Sequence, residues 1–175
     1  MKSLKQIAFG LILTVSAFGA TLYTSCNKDK CKDVVCQNGG TCSEGTCTCV
    51  TGYSGTNCET VYRTSYVNTY KGNATDNAGN NYTNFRMVFA ATGTDVTSMQ
   101  LTIQDATGGS AGVPVLTVSL ANFTATGATF TVTSLTSGGY TYTGSGTISG
   151  TTATLTLTES GSPTTTYTFA NFTKQ

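Results

Sequence analysis

The sequence contains no histidine and no tryptophan, and only 10% of its 175 residues are charged. Histidine is the commonest general base and the commonest metal ligand, so its absence removes the usual basis for acid–base catalysis and for most transition-metal sites. Lysine and arginine total 9 against 8 for aspartate and glutamate. This balance lacks the clustered positive charge that nucleic-acid binding requires. We therefore expect a protein that is not an enzyme, with no cofactor and no nucleic-acid partner.

Cysteine is confined to one short segment, because all seven cysteines lie between positions 26 and 58. Six of them follow the spacing Cys31-x4-Cys36-x5-Cys42-x4-Cys47-x-Cys49-x8-Cys58. A zinc cluster fits this pattern poorly, since it has no paired C-x2-C knuckles and no histidine is available. Disulfides are the expected state in an exported chain, although spacing alone leaves the pairing open.

The first 25 residues are typical of an export signal. Lys2 and Lys5 form a positive start, and residues 7–22 carry no charge. This stretch is short for a membrane span and is diluted by glycine, serine and alanine, which matches a signal peptide. We expect residues 1–25 to be removed on export; a short N-terminal membrane anchor is the alternative.

The cysteine segment has a family resemblance. The stretches C-Q-N-G-G-T-C, from Cys36 to Cys42, and C-T-C-V-T-G-Y-S-G-T-N-C, from Cys47 to Cys58, resemble EGF-like domains. The resemblance implies an EGF-like domain over residues 31–59 with disulfides Cys31–Cys42, Cys36–Cys47 and Cys49–Cys58. A unit this small has too few apolar residues to fold alone and normally relies on such cross-links.

A subset of EGF-like domains binds calcium, and this chain departs from that subset. Asn27 and Asp29 precede the first cysteine, but Lys30 stands where the subset has an acidic or amide residue. Calcium takes about six to eight oxygen ligands. Only Glu44 adds to the two nominated side chains, and the loop after the third cysteine is short. We therefore expect no metal site.

The seventh cysteine, Cys26, follows the apolar run and the small residues Thr24 and Ser25. This arrangement resembles the lipobox of bacterial lipoproteins, especially those of the Bacteroidota type, which frequently carry EGF-like repeats. The resemblance implies lipidation at Cys26, a tether over residues 26–30 and anchoring at the bacterial outer membrane or cell surface. A secreted protein is the alternative.

The chain after residue 60 changes composition, and threonine supplies 29 of the 115 residues from 61 to 175. Apolar and polar residues alternate with period two in several runs, such as 98–104 and 152–158. This is typical of antiparallel strands with one buried face. Turn residues separate about eight strands, at 62–71, 81–91, 96–104, 114–123, 128–135, 139–149, 152–159 and 164–173. We therefore predict a mainly β fold, with residues 60–175 forming an antiparallel barrel or sandwich.

The strand rhythm of this domain also resembles calycin- and lipocalin-like barrels. The resemblance rests on the opening Thr69-Tyr70-Lys71-Gly72 and on the ladder from Tyr140 to Ile148 followed by Ala153–Thr158. It implies a closed barrel, which would leave no strand edge open to aggregation. A subset of the aromatic residues would then line a ligand cavity, with the rest in the core.

The β domain offers few groups for chemistry. Asp76, Asp95 and Glu159 fall in or beside predicted turns, where we expect solvated roles. They leave most requirements of an active site unfilled, although a carboxylate pair for glycoside hydrolysis remains an alternative. Arg86 lies within an apolar strand, and we expect it to face solvent. The alternative is an inward Arg86 that anchors an anionic ligand.

The sequence as a whole indicates an exported, membrane-anchored surface lipoprotein that acts as a binding or adhesion module. Its expected partners are the membrane, through the lipid anchor, and a protein or a carbohydrate. The alternatives are a structural envelope lipoprotein and a lipocalin-like small-ligand binder without catalysis. The sequence does not identify the ligand-binding residues.

Overall fold

The computed structural model describes residues 29–124 and 126–175. The predicted signal peptide, the lipidation site Cys26 and residues 27 and 28 of the tether lie outside the described residues. The described part contains a 3-10 helix (Tyr62–Tyr66) and twelve strands. The strands are β1 (Thr41–Ser43), β2 (Thr46–Thr48), β3 (Tyr53–Ser54), β4 (Thr60–Val61), β5 (Thr69–Asp76), β6 (Asn81–Ala91), β7 (Ser98–Gln104), β8 (Leu116–Ala121), β9 (Gly127–Ser137), β10 (Tyr140–Ser149), β11 (Thr152–Ser160) and β12 (Thr165–Lys174).

Three disulfides hold the N-terminal part together, and we call residues 31–58 the disulfide module. The bonded pairs are Cys31–Cys42, Cys36–Cys47 and Cys49–Cys58, the same pairing that the EGF-like resemblance implies. Strands β1 and β2 form a hairpin in which Cys42 lies opposite Cys47. Val35 and Val50 are 76% and 44% exposed, so apolar burial contributes little here. Cross-links of this loop size stabilise a fold by about 2–3 kcal/mol each.

Strands β5 to β12 form a closed antiparallel barrel in which each strand pairs with the next along the chain. The barrel closes because β12 also pairs with β5, with Phe169 opposite Ala74. The predicted mainly β fold, with a disulfide-rich segment before an eight-stranded antiparallel domain, is confirmed. Of the two predicted architectures the barrel is correct and the sandwich is wrong.

The barrel interior is filled over most of its length. The alternating apolar residues of the eight strands point inward and are buried, as the period-two pattern predicts. Inward glycines make room for rings: a methyl group at Gly146 would lie 2.5 Å from the ring of Phe130, and one at Gly72 would lie 2.6 Å from Phe172. A barrel of eight strands has room either for side chains or for one small ligand. Here side chains fill most of that room.

The N-terminal entry to the barrel differs from the predicted strand 62–71. Residues Tyr62–Tyr66 form a 3-10 helix, and β5 begins only at Thr69. Tyr66 is 2% exposed and closes this end of the barrel, while Tyr62 stacks on Phe123 at 5.6 Å. Tyr62 and Tyr66 are four apart, a spacing that fits one face of a strand, and a 3-10 helix this short has no repeat that the sequence could reveal. The packing of Tyr66 against the end of the barrel favours the helix over a strand.

Arg63 fastens this helix to the loop between β6 and β7. Its guanidinium donates hydrogen bonds to four backbone carbonyl oxygens, those of Thr92 (2.9 Å), Gly93 (3.2 Å), Asp95 (2.6 Å) and Ser98 (3.0 Å). A planar guanidinium presents several donors in a fixed fork, which suits a ring of carbonyls. The helix and the loop therefore form one cap over the closed end of the barrel.

The disulfide module packs against the same closed end. The Tyr62 amide donates to the Gly52 carbonyl at 3.0 Å, and β3 pairs with β4, with Tyr53 opposite Val61. Gly52 has a φ of +92°, and a side chain there would collide with Val96 of the β6–β7 loop. The module thus sits at one end of the barrel, and the opposite end is left open.

Candidate ligand-binding site at the open end of the barrel

A cavity of about 230 Å³ lies at the end of the barrel opposite the disulfide module. The strand ends around it are the end of β5, the start of β6, the end of β11 and the start of β12. Its lining residues are Ala74, Tyr82, Phe85, Ile103, Ala111, Gly112, Val113, Glu159, Tyr167 and Phe169. A shallower depression of about 420 Å³ adjoins it and shares Glu159, Gly112 and Val113. The cavity is therefore reached through a mouth at which Glu159 stands.

The loop between β7 and β8 covers part of this mouth. Its first turn is fixed because Asp105 Oδ1 accepts hydrogen bonds from the amides of Thr107 (2.8 Å) and Gly109 (3.0 Å). The Ala111 amide then donates to the Ile103 carbonyl at 3.2 Å. This bond returns the chain to the barrel end, so that Ala111 and Val113 pack against the core and line the cavity.

A β-bulge in β6 brings two aromatic rings into the cavity. Gly72 pairs with Phe85 and Ala74 with Tyr82, so two residues of β6 oppose the single residue Asn73 of β5. Asn84 has a φ of +60°, and its amide donates to Asn73 Oδ1 at 3.1 Å. Because a bulge inserts one extra residue, side chains three apart point to the same face. Tyr82 and Phe85 both line the cavity for this reason.

A second bulge in β12 acts in the same way. Asn171 has a φ of +54°, and the register with β11 shifts beside it. Phe169 and Phe172, three apart, therefore both face inward, where they are 3% and 0% exposed. The cavity wall is continuous, with ring centroids 5.7 Å apart for Tyr82–Phe85, 6.0 Å for Tyr82–Tyr167 and 6.5 Å for Phe85–Phe169.

Glu159 brings a carboxylate into this aromatic wall. It continues the inward series of Leu155 and Leu157 along β11, and Tyr142 of β10 lies directly opposite it. Its two carboxylate oxygens accept hydrogen bonds from the hydroxyls of Tyr142 (3.0 Å) and Tyr167 (3.3 Å). The expectation of a solvated role for Glu159 beside a turn is therefore wrong, because β11 keeps its inward alternation through Glu159 and the two tyrosine hydroxyls bind the carboxylate.

Asp76 stands on the inward face of β5, two residues after Ala74 and opposite Tyr167. Its carboxylate accepts four hydrogen bonds, from the Ala78 amide (2.9 Å), the Asn80 amide (2.9 Å), Asn80 Nδ2 (2.8 Å) and the Tyr82 hydroxyl (2.9 Å). The Asn80 side chain is the largest of the causes that lower the pKa of the Asp76 carboxyl. Asp76 therefore lies beside a turn, as expected, and its carboxylate both closes that turn and orients Tyr82.

The hydroxyls of Tyr82, Tyr142 and Tyr167 stay protonated well above neutral pH. Burial and then the charge of Glu159 raise the pKa of Tyr167 to about 12. Burial and the hydrogen bond to Glu159 raise the pKa of Tyr142, and the hydrogen bond to Asp76 raises the pKa of Tyr82. Each hydroxyl thus gives its one hydrogen to a carboxylate and keeps its oxygen as an acceptor.

No described basic residue of the barrel lines this cavity. Arg86 and Lys71 face each other across β6 and β5 on the outer surface, beside the buried inward residues Met87 and Tyr70. Arg86 is therefore outward, as its solvent-facing interpretation expects. Among the residues that the structure describes, the one ion pair is Lys30–Glu44 in the disulfide module. Neither Asp76 nor Glu159 has a cationic partner among the described residues.

The residues considered for calcium are engaged elsewhere. Asp29 Oδ1 accepts a hydrogen bond from the Cys31 amide at 3.0 Å, and Glu44 pairs with Lys30. Asn27 lies outside the described residues. Within residues 29–124 and 126–175, no three histidine, cysteine, aspartate or glutamate side chains are grouped so that they could hold a metal ion.

Asp95 closes its own turn by accepting hydrogen bonds from the Thr97 amide and hydroxyl, as expected for a turn residue.

No helix in the described part of the chain is long and apolar enough to cross a membrane. Comparison of the chain with protein-family models, with curated proteins and with solved structures found no match. The function of the open-end cavity must therefore be inferred from its own residues.

Proposed function

We propose that this protein is an exported, lipid-anchored binding protein, in which the β-barrel takes a small ligand in its open-end cavity without catalysing a reaction. The cavity is the observation that carries the proposal. In a barrel filled by side chains over most of its length, this cavity lies at one end, behind a loop and against four aromatic rings. A concave aromatic pocket with a few convergent polar groups is the usual form of a small-molecule site.

The size of the cavity limits what it takes. Pockets for drug-sized ligands measure about 300 to 1,000 Å³. At about 230 Å³ this cavity is smaller. Its floor is closed by buried residues, including Ile103 and Phe169. The proposed ligand is therefore a small molecule of one ring or a short chain, not a long lipid.

Binding without catalysis is favoured by the roles of the two carboxylates. Asp76 is committed to its turn and to Tyr82, and Glu159 is left as the one carboxylate among the cavity-lining residues. A catalytic pair would need a second group free to move a proton.

The three disulfides indicate an exported protein, since such bonds persist in oxidising compartments. An EGF-like module anchored through a lipid on Cys26 would hold the barrel by its closed end. The open end would then face away from the bilayer, because module and cavity lie at opposite ends of the barrel. The Arg63 contacts and the β3–β4 pairing support a stiff connection between module and barrel.

The test is a screen of small amines, alcohols, acids and sugars against the full mature chain by amide-detected NMR. A binding compound should shift the amide signals of residues 111–113 and of the start of β6 more than those at the closed end. Ala111→Phe, which puts a ring in the mouth, should abolish the shifts. Ala170→Phe, the same change on the exposed face of β12, should leave them intact. Binding that survives Ala111→Phe, or no binding by any class, would contradict the proposal.

The anchor has its own test, which is independent of the cavity. Mass spectrometry of the mature N-terminus should show a diacylglyceryl adduct on Cys26, and Cys26→Ser should release the protein from the membrane fraction. Two or more acyl chains are needed for stable anchoring. An unmodified Cys26 thiol would make the protein secreted instead.

A further inference from the structure

We infer that the ligand of the open-end cavity is a small organic cation, an amine or a guanidine that carries an apolar group. This inference rests on the proposed function and names its ligand class. It is drawn from three features of the cavity: the commitment of its hydrogen-bond donors, its uncompensated charge and its aromatic wall.

The first feature is that the cavity side chains offer acceptors and no free donors. Among the lining side chains, only Tyr82 and Tyr167 carry a hydrogen-bond donor. Tyr82 gives its hydrogen to Asp76 and Tyr167 gives its hydrogen to Glu159. The hydroxyl oxygens and the remaining lone pairs of Glu159 are acceptors. An ammonium or guanidinium group, which has only donors, is the head group that complements this set. A carboxylate or phosphate ligand would find no side-chain donor.

The second feature is the charge. Glu159 faces the cavity as a carboxylate supported by two neutral hydroxyls, and Asp76 adds a second negative charge behind Tyr82. None of the described basic residues of the barrel lines the cavity. Lys71 and Arg86 face outward, with Arg86 Nη1 beside Gly108 of the β7–β8 loop, Arg63 binds the β6–β7 loop, and Lys174 ends β12. A partly buried charge without a partner favours an opposite charge within a few ångströms.

The third feature is the ring of aromatic side chains next to that charge. Tyr82, Phe85, Tyr167 and Phe169 surround the cavity with centroid separations between neighbours of 5.7 to 6.5 Å. Aromatic faces carry negative electrostatic potential and attract ammonium and guanidinium groups within about 6 Å. The same rings bury the apolar part of a ligand. A carboxylate at the mouth and rings behind it therefore fit a cation that is attached to an apolar group.

The experiment compares three compounds of one shape by calorimetry on the full mature chain: phenethylamine, phenethyl alcohol and hydrocinnamate. They carry a cationic, a neutral and an anionic head on the same phenyl group. The amine should bind about ten-fold or more tightly than the alcohol, which corresponds to about 1.4 kcal/mol, and hydrocinnamate should be the weakest. This order needs no variant, so it stands even if a substitution impairs folding.

Glu159→Gln removes the charge while it keeps the shape of the side chain. It should weaken amine binding until amine and alcohol bind alike, with alcohol binding little changed. The control is Glu44→Gln, the same substitution at an exposed site in the disulfide module, which should leave all three affinities unchanged.

The outcomes separate this inference from the proposed function. If amine, alcohol and acid bind equally, or if Glu159→Gln leaves the preference for the amine intact, the cation is the wrong ligand class. The cavity would then still be a binding site, provided that Ala111→Phe abolishes binding. If none of the three compounds binds, the inferred ligand class is wrong, and the proposed function fails as well if the wider screen finds no ligand or if Ala111→Phe has no effect on binding.

Discussion

Replacing Arg63 should destabilise the protein more than replacing any other charged residue of the barrel. Its guanidinium donates to four carbonyl oxygens of the β6–β7 loop, and the bonds to Thr92 and Ser98 are partly buried. Hydrogen bonds to a charged group contribute roughly 1.5–3 kcal/mol each. The four share one group and do not add. The Nε atom, buried without a partner, offsets part of the gain.

We therefore expect Arg63→Met to lower the free energy of unfolding by about 2–4 kcal/mol, because it leaves several carbonyls without a donor. Arg63→Lys should lose about half of that, since an ammonium cannot reach all four oxygens as a planar fork does. Lys71→Met, a cation on the outer face of β5, is the matched control and should stay within about 0.5 kcal/mol of wild type.

Urea unfolding followed by far-ultraviolet circular dichroism measures these differences, and hydrogen exchange locates them. The amides of residues 92–98 should lose protection in Arg63→Met before those of the barrel strands. An Arg63→Met variant as stable as wild type would refute the claim that Arg63 stabilises the closed end by joining the 3-10 helix to the β6–β7 loop. An Arg63→Lys variant as stable as wild type would show that the positive charge matters at this position and that the planar shape of the guanidinium does not.

Three further predictions concern packing, pH and covalent structure. Gly146→Ala should cost about 1–3 kcal/mol in urea unfolding because its methyl group would meet the Thr154 carbonyl oxygen and the ring of Phe130, whereas Gly150→Ala, which has open space around it, should stay near wild type. The pKa of Tyr167 is raised from 10.0 to about 12, so its contribution to stability is complete below pH 10 and should be lost as the pH rises through 12. Glu159→Gln should lower the pH at which the last tyrosine ionises in an absorbance titration. Non-reducing peptide mapping should return the pairs Cys31–Cys42, Cys36–Cys47 and Cys49–Cys58, and a different pairing would contradict the structure.

The strands of the barrel could be predicted because threonine and apolar residues alternate with period two. The six predicted strands from 96–104 to 164–173 match the observed bounds to within two residues at each end. The predicted strand 81–91 has the same bounds as β6. The choice between barrel and sandwich could not be made, because it depends on the pairing of β12 with β5, which are far apart in sequence. The 3-10 helix at Tyr62–Tyr66 was missed because Tyr62 and Tyr66, four apart, fit one face of a strand, and a helix of five residues is too short to show its own repeat.

The site was harder to predict than the fold. Tyr82 and Phe85 are three apart, so a strict alternation places them on opposite faces, and only the bulge at Asn84 brings both inward. Asparagine within an apolar strand is the signal that was available, because it tolerates a positive φ. Glu159 was placed at the end of the predicted strand 152–159, beside a turn, and was expected to be solvated, yet the alternation of Leu155 and Leu157 already pointed it inward.

The central claim is that the open end of the barrel binds a small cation between Glu159 and the aromatic wall. A crystal structure of the full mature chain with phenethylamine tests it most directly. We predict the ammonium group within hydrogen-bond distance of the Glu159 carboxylate, with the phenyl ring against Tyr82 and Phe85. The claim would be contradicted if phenethylamine bound only on the outer surface of the barrel, or if the cavity contained no phenethylamine at a saturating concentration.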